Sequence, residues 1–338
     1  MLAQPSTRFI MLSILGLFLI VINSANAATL NKDPEVQQFI NEMVQTHQFS
    51  KSELDKVFAQ VKIKQKILDA ISRPAERSKA WHEYRKIFLT KKRIKQGVKF
   101  WQDNTDIINY AEKVYGVAPE IMVAIIGVET YYGRLQGSYR VMDALSTLAF
   151  RYPKRSKFFR GELKHFLIMN REQKFDPLSR KGSYAGAMGM GQFIPSSFQS
   201  YAVDFDGDGE KDIWKNNADA IGSVANYFKR HGWKKGQPVA DQLNPMKDTL
   251  LTDKDRCKRS CKPKLTVAAF KQKGLTGDTA VTDETKAILL LLKQKNSKEY
   301  WLGYNNFYVI SRYNHSTLYS MAVYQLSQAI KQAKLKAQ

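Results

Sequence analysis

From Ile121 to Val128 the chain reads Ile-Met-Val-Ala-Ile-Ile-Gly-Val, without one polar side chain. Pro119 stands just ahead, at a position where a helix loses nothing by lacking an N–H. A helix that is apolar on every face has to be surrounded, so the rest of the fold must be built around this segment. The run ends at Glu129, followed by Thr130, Tyr131, Tyr132 and Gly133. Burial raises a carboxyl pKa, and the negative end of a helix dipole raises it further. A glutamic acid kept protonated near neutrality can act as a general acid. The competing reading is a glutamate whose carboxyl escapes to solvent where the helix ends, as most do.

Residues 1–27 read as a secretion leader. Arg8 supplies the positive start, Phe9 to Ile22 the apolar run, and Ala25-Asn26-Ala27 a small-x-small site with cleavage expected before Ala28. An uncleaved anchor is the alternative, although the run falls short of the ~20 residues a membrane span needs. No cysteine stands near the site to carry a lipid. The formal net charge is +22, and Arg8 is the leader's one contribution to it. Such an excess points to polyanionic surroundings. In an exported protein these are a cell wall or an outer-membrane surface, not nucleic acid. The two cysteines, Cys257 and Cys261, sit close together without further metal ligands beside them, and in an oxidising compartment such a pair is expected to bridge.

A chain of 338 residues exceeds one ordinary core, so several subdomains are expected. Pro34 to Lys99 is helical by pattern, with Val36, Phe39, Ile40, Met43 and Val44 at three- and four-residue spacing. Ser50 and Glu53 form a capping box. Asn109 to Ala149, Phe158 to Met169 and Asp219 to Arg230 are helical again. Pro195 opens another helix, with Ser196 or Ser197 expected as its cap. Residues 237–300 change character: turn residues, the cysteine pair, and short apolar runs at Leu265 to Ala269 and Ala287 to Leu292 read as strands. The end is helical, with Leu318, Met321, Ala322, Leu326, Ala329 and Ile330 as one stripe.

Three further features could carry function. Lys181 to Pro195 is rich in glycine around Met188, Met190, Gln192 and Phe193. With no strand ahead of it and no acidic partner behind, it is not a dinucleotide loop. It is either a tight structural turn or a place where backbone approaches a ligand. Asp204, Asp206, Asp208 and Asp212, with Gly209 at the sixth position, follow the spacing of a calcium loop. Lys211 and Lys215 depart from it at the eighth and twelfth positions. A lysine cannot ligate calcium, so binding is expected to be weak, with a solvated acidic turn as the alternative. Tyr84, Tyr131, Tyr132, Tyr227, Tyr313 and Tyr319 could stack on sugar rings, or simply pack. The five histidines show no paired metal spacing, and no Gly-x-Ser-x-Gly elbow is present.

Taken together, five blocks resemble the membrane-bound lytic transglycosylase B family. They are Ile-Ile-Gly-Val-Glu129-Thr; Asp143-Ala-Leu-Ser-Thr-Leu-Ala-Phe; Gly-Ser183-Tyr-Ala-Gly-Ala-Met-Gly-Met-Gly-Gln192-Phe-Ile-Pro; Asp-Ala-Ile-Gly-Ser-Val-Ala-Asn-Tyr227-Phe; and Asn306-Phe-Tyr-Val-Ile-Ser-Arg-Tyr-Asn-His-Ser316. The resemblance runs from about Pro34 to the C-terminus. It implies an α+β, mainly α fold: a lysozyme-like helical core at 109–236 containing the calcium-type loop 204–215, a helical domain at 28–108 joined by a C-terminal helix at 316–334, a small β-rich domain at 237–300, and a return to the core over 301–338. It implies cleavage of the β-1,4 bond between N-acetylmuramic acid and N-acetylglucosamine in peptidoglycan, giving 1,6-anhydromuramyl products. Glu129 would be the sole catalytic acid and base. Tyr84, Arg155, Ser183, Met188, Met190, Gln192, Tyr227, Tyr313, Asn314 and Tyr319 would hold the glycan. A structural calcium ion would sit on Asp204, Asp206, Asp208 and Asp212, and catalysis would need no cofactor. The expected setting is periplasmic, as a monomer that is soluble or peripherally attached to the envelope. It would act on glycan strands beside proteins of wall synthesis or remodelling. A hydrolytic muramidase on the same core and a non-enzymatic wall-binding scaffold are the competing functions.

Overall fold

The computed structural model describes residues 30–72 and 79–337; the leader expected at 1–27 lies outside them. Three helices come first: α1 (Pro34–His47), α2 (Lys51–Ala59) and α3 (Gln65–Ser72). Asp33 and Ser50 cap the first two by accepting the Glu35 and Glu53 N–H groups. Next come α4 (Trp81–Phe88), α5 (Lys91–Asp103), α6 (Thr105–Tyr115) and α7 (Pro119–Thr130). The helical stretch expected from Asn109 to Ala149 is therefore broken. It stops at Gly116, a left-handed cap, and again after Thr130, before β1 (Tyr139–Arg140) and α8 (Val141–Arg151).

The middle of the chain holds α9 (Ser156–Glu172), β2 (Lys181–Gly182), α10 (Pro195–Tyr201) and α11 (Asn217–Arg230). Strand β2 pairs with β1. The cap of α10 differs from expectation. Ser196 donates to Glu162 through both its N–H and its hydroxyl, at 3.0 and 2.8 Å. A carboxylate from α9 thus sits where the helix leaves its first N–H groups open, and the serine is a donor to it.

Five antiparallel strands follow: β3 (Ala240–Pro245), β4 (Leu265–Thr266), β5 (Leu275–Thr276), β6 (Lys286–Lys293) and β7 (Lys298–Gly303), in the order β4-β6-β7-β3-β5. The apolar run at Leu265 is strand for two residues only and continues as α12 (Val267–Gln272). The chain ends with α13 (Asn305–Tyr313) and α14 (Thr317–Leu335).

Helix α7 is packed by α5, α6, α11 and α14, as an all-apolar helix requires. Met122 to Ile126 have no exposed surface, and Met122, Val123, Ile125 and Ile126 each contribute about 1.5–3 kcal/mol by leaving water. The polar exception near its start, Glu120, is met by Lys331 at 2.9 Å. Packing divides the described residues from 30 to 108 between two cores. Helices α4 to α6 join α7, α11, α13 and α14, whereas α1 to α3 pack with α8, α9 and α10. Strand β6 is apolar from Ala287 to Leu292 because both its faces are covered there. Ile288, Leu290 and Leu292 enter the α7 core, and Ala287, Leu289 and Leu291 a smaller core with α12. No helix among the described residues is long and apolar enough to cross a membrane.

Candidate active site

Tyr131 stops α7 by taking a left-handed conformation, φ 54°, and its N–H returns to Ile126 and Gly127. Tyr132 (φ 61°) and Gln192 (φ 51°) adopt the same region. Non-glycine residues hold it only where the surroundings impose it. Here Tyr132 folds back over α7 so closely that a Cβ on Gly127 would lie 2.6 Å from its ring, and its hydroxyl donates to the Arg93 carbonyl at 2.9 Å. Thr130, fully buried, donates to the Met190 carbonyl at 2.8 Å and accepts the Gly133 N–H at 3.0 Å. These contacts join the end of α7 to the glycine-rich loop.

That loop is a tight turn, and it packs against the end of α7. The Met188 and Phe193 backbones exchange hydrogen bonds at 2.8 and 2.9 Å, and Ser183 N–H reaches the Ala187 carbonyl at 2.8 Å. Gly189, at φ +67°, has no room for a side chain: a Cβ would lie 2.6 Å from Ile213. The Gly191 carbonyl accepts from the Tyr313 hydroxyl.

Glu129 lies where these pieces meet. Part of its surface stays open, unlike its neighbours on α7. Burial nevertheless pushes its carboxyl up to about 7, against a lowering effect from the Tyr319 hydroxyl, which donates to Oε1. No second carboxylate contributes to that shift. The Glu129 charge acts on Tyr84, Tyr313 and Tyr319, whose own pKa values are raised first by burial and then by that charge. Tyr227 packs against Tyr313 at 4.7 Å between ring centroids and donates to the Arg312 carbonyl at 2.7 Å.

The structure thus brings Tyr84, Tyr313 and Tyr319 around Glu129, with Tyr227 packed against Tyr313 and Gln192 next to the Gly191 carbonyl that Tyr313 reaches. Gln192 donates to the Gln136 and Gly189 carbonyls. Ser183 accepts the Ala185 and Ala187 N–H groups, and Asn314, exposed, accepts the Ser316 N–H at 3.1 Å. Two candidates stand apart from this group. Met188 has no exposed surface and belongs to the α8–α9 core. Arg155, exposed between α8 and α9, spends its guanidinium on Phe158 and Phe159. Thr130 and Gln136, which position the loop, were not singled out by sequence; their signal was only adjacency to Glu129.

The expected bridge between Cys257 and Cys261 is present. In the acidic loop, Asp204, Asp206 and Asp208 each offer an oxygen within 4.8 Å of the others. Asp212 does not join them: its Oδ1 accepts the Trp214 and Lys215 N–H groups at 2.9 and 3.1 Å. A hard cation would find three carboxylates there and, at the twelfth position, Lys215.

The family model described as a transglycosylase SLT domain matches residues 31–328. The chain belongs to this transglycosylase family. Membrane-bound lytic murein transglycosylase B of Escherichia coli (strain K12) is 45% identical over 313 residues, covering 90% of this chain and 84% of the relative. Among solved structures, the E. coli lytic transglycosylase Slt35 in complex with calcium superposes with a TM-score of 0.82 at 45% identity, covering 90% of this chain and 95% of that one. SltB3 from Pseudomonas aeruginosa in complex with NAG-anhNAM-pentapeptide gives 0.79 at 29%, covering 88% and 79%. Transglycosylase membership agrees with the fold expected from the five sequence blocks.

Proposed function

We propose that Glu129 alone carries the chemistry, as an acid first and a base second. The chain is a lytic transglycosylase of peptidoglycan, and glycan strands are its ligand class, as in the SltB3 complex. One observation supports the single-residue mechanism above others. Glu129 is a partly open carboxyl raised to about 7, whose shift owes nothing to a second carboxylate. Glycosidases ordinarily use two carboxyl groups, and substrate-assisted ones do not.

Protonated Glu129 donates to the glycosidic oxygen, and the C1–O bond breaks. The muramyl N-acetyl oxygen shares the positive charge at C1. Glu129, now ionised, takes the proton from the muramyl C6 hydroxyl, and that oxygen closes on C1. The acid is regenerated and no water is consumed. The tyrosines around Glu129, Tyr84, Tyr313 and Tyr319, favour the internal hydroxyl over water by limiting access to the reacting carbon. Ser183, Gln192 and Asn314 offer polar groups to the sugars.

Around this centre, the three clustered aspartates and the calcium complex of Slt35 support a structural calcium ion on Asp204, Asp206 and Asp208, weakened by Lys215. The bridged cysteines and the leader support export to the periplasm, and a monomer suffices for the site. Mass spectrometry of digested cell wall tests the reaction. Products ending in 1,6-anhydromuramic acid are expected. Products that have all gained water would establish a muramidase instead, and an absence of cleavage would leave a wall-binding scaffold.

A further inference from the structure

A cavity of about 460 Å³ is lined by Lys79, Trp81, Arg256, Lys258, Lys293 and the first turn of α14 from Ser316. Its position follows from two residues of the site. Trp81 is one turn before Tyr84 on α4, with ring centroids 6.5 Å apart. Thr317 is two residues before Tyr319, the residue that holds Glu129. The cavity therefore lies beside the tyrosines around Glu129. Its far wall comes from the small β-rich domain.

The wall is built to present cations. The Cys257 N–H donates to the Leu289 carbonyl at 2.8 Å, and the Cys257–Cys261 bridge closes the loop behind it. That fixes Arg256 and Lys258 on either side of a buried half-cystine. Two buried donors on residues that line it are unsatisfied. Among the described residues, neither the indole N–H of fully buried Trp81 nor Nε of half-buried Arg256 finds an acceptor. The nearby carboxylate, Asp253, feels Arg256 and Lys293, but its ion pair is with Lys298. The cations around this cavity, beside the start of α14 that Ser316 caps, favour a ligand rich in negative oxygens.

We infer that this cavity binds carboxylates of the peptide stem carried by the muramyl residue of the bound strand. The inference rests on the peptidoglycan reading above. In that polymer the sugar rings are neutral, and the stem peptides carry the free carboxylates. On this reading the β-rich domain recognises the substituent while the helical core cuts the chain.

Three substrates test it: glycan strands with native stems, strands stripped of stems by an amidase, and strands whose stem carboxylates have been amidated. For the native enzyme, KM is expected to be about tenfold higher on the second and third than on the first, the effect of losing two exposed charge contacts. Replacing Arg256→Ala together with Lys258→Ala should raise KM on native strands to the same level. Lys258→Glu, at an exposed side chain, should flatten the preference in the same way. Equal KM on all three substrates for the native enzyme would overturn the proposal, as would a variant that keeps the preference. Anhydro products from stripped strands keep the reaction itself intact in either case. Their absence on every substrate would instead sink the transglycosylase mechanism.

Discussion

Two carboxyl groups at opposite helix ends show how differently the fold can use the same burial. Glu129 closes α7, and Asp219 lies in the first turn of α11. Burial raises both, to about 7 and about 6 respectively. Asp219 accepts the Phe205 and Asp212 N–H groups at 2.8 and 2.7 Å and has no exposed surface. Its oxygens are committed to holding both ends of the acidic loop, and no substrate can reach them. Glu129 has one phenolic donor and an open side. A raised pKa therefore does not by itself make an acid catalyst. Access and an uncommitted oxygen make the difference.

The sharpest way to break this comparison is Glu129→Gln. Transglycosylase activity on cell wall is expected to fall about 10³-fold, the scale of a lost general acid–base group. Stability should move the other way. The folded protein holds the Glu129 proton more tightly than the unfolded chain, so native stability is lost as pH rises from 4.5 through about 7. Glutamine removes that loss, stabilising the fold by up to about 3 kcal/mol at pH 8 and by nothing at pH 4. Urea unfolding at the two pH values reads it. An inactive variant that is also less stable at pH 8 would mean Glu129 is a structural carboxyl like Asp219.

Tyr319→Phe probes the one hydrogen bond that Glu129 does have. The hydroxyl lowers the Glu129 pKa, so its loss should carry that pKa higher. The first step needs protonated Glu129, and kcat/KM falls as the residue ionises. The alkaline limb of the pH profile is thus expected near pH 7 in the native enzyme and at higher pH in the variant. A loss of positioning should lower kcat about tenfold. An unmoved limb would show that the titration belongs to another group.

The buried helix was legible because Ile121 to Val128 left no face for water, and β6 because its apolar run is too short for a core helix. The Ser50 cap was legible for the same local reason: one side chain and one N–H three residues on. What escaped the sequence depends on contacts between distant segments. Ser196 is not a cap, because Glu162 arrives from α9. Met188 turned inward because the hairpin backbone around it alternates its side chains. The cavity behind Tyr84 is assembled from three separated segments, residues 79–81, 256–258 and 316–318, together with β6. No spacing within any one of them announces it.

The smallest effect belongs to the acidic loop, where the comparison predicts stability without chemistry. Asp204 already accepts the Gly207, Asp208 and Gly209 N–H groups at 2.7, 3.1 and 2.8 Å, so the loop keeps its shape through its own backbone. Calcium at about ten times its Kd would add about 1.4 kcal/mol, raising Tm by ~2 °C in a chain of this size. Asp204→Ala should abolish the rise, and a chelator should leave the initial rate unchanged. Lys215→Glu sharpens the test, since it restores a carboxylate at the position where calcium loops place a bidentate ligand. About tenfold tighter binding by calorimetry is expected. If neither the native loop nor this variant binds calcium, the three aspartates are an acidic turn held by hydrogen bonds. If instead calcium changes the rate, loop and catalytic end are coupled through Asp219 and α11, and the separation between the structural carboxyl Asp219 and the acid Glu129 is lost.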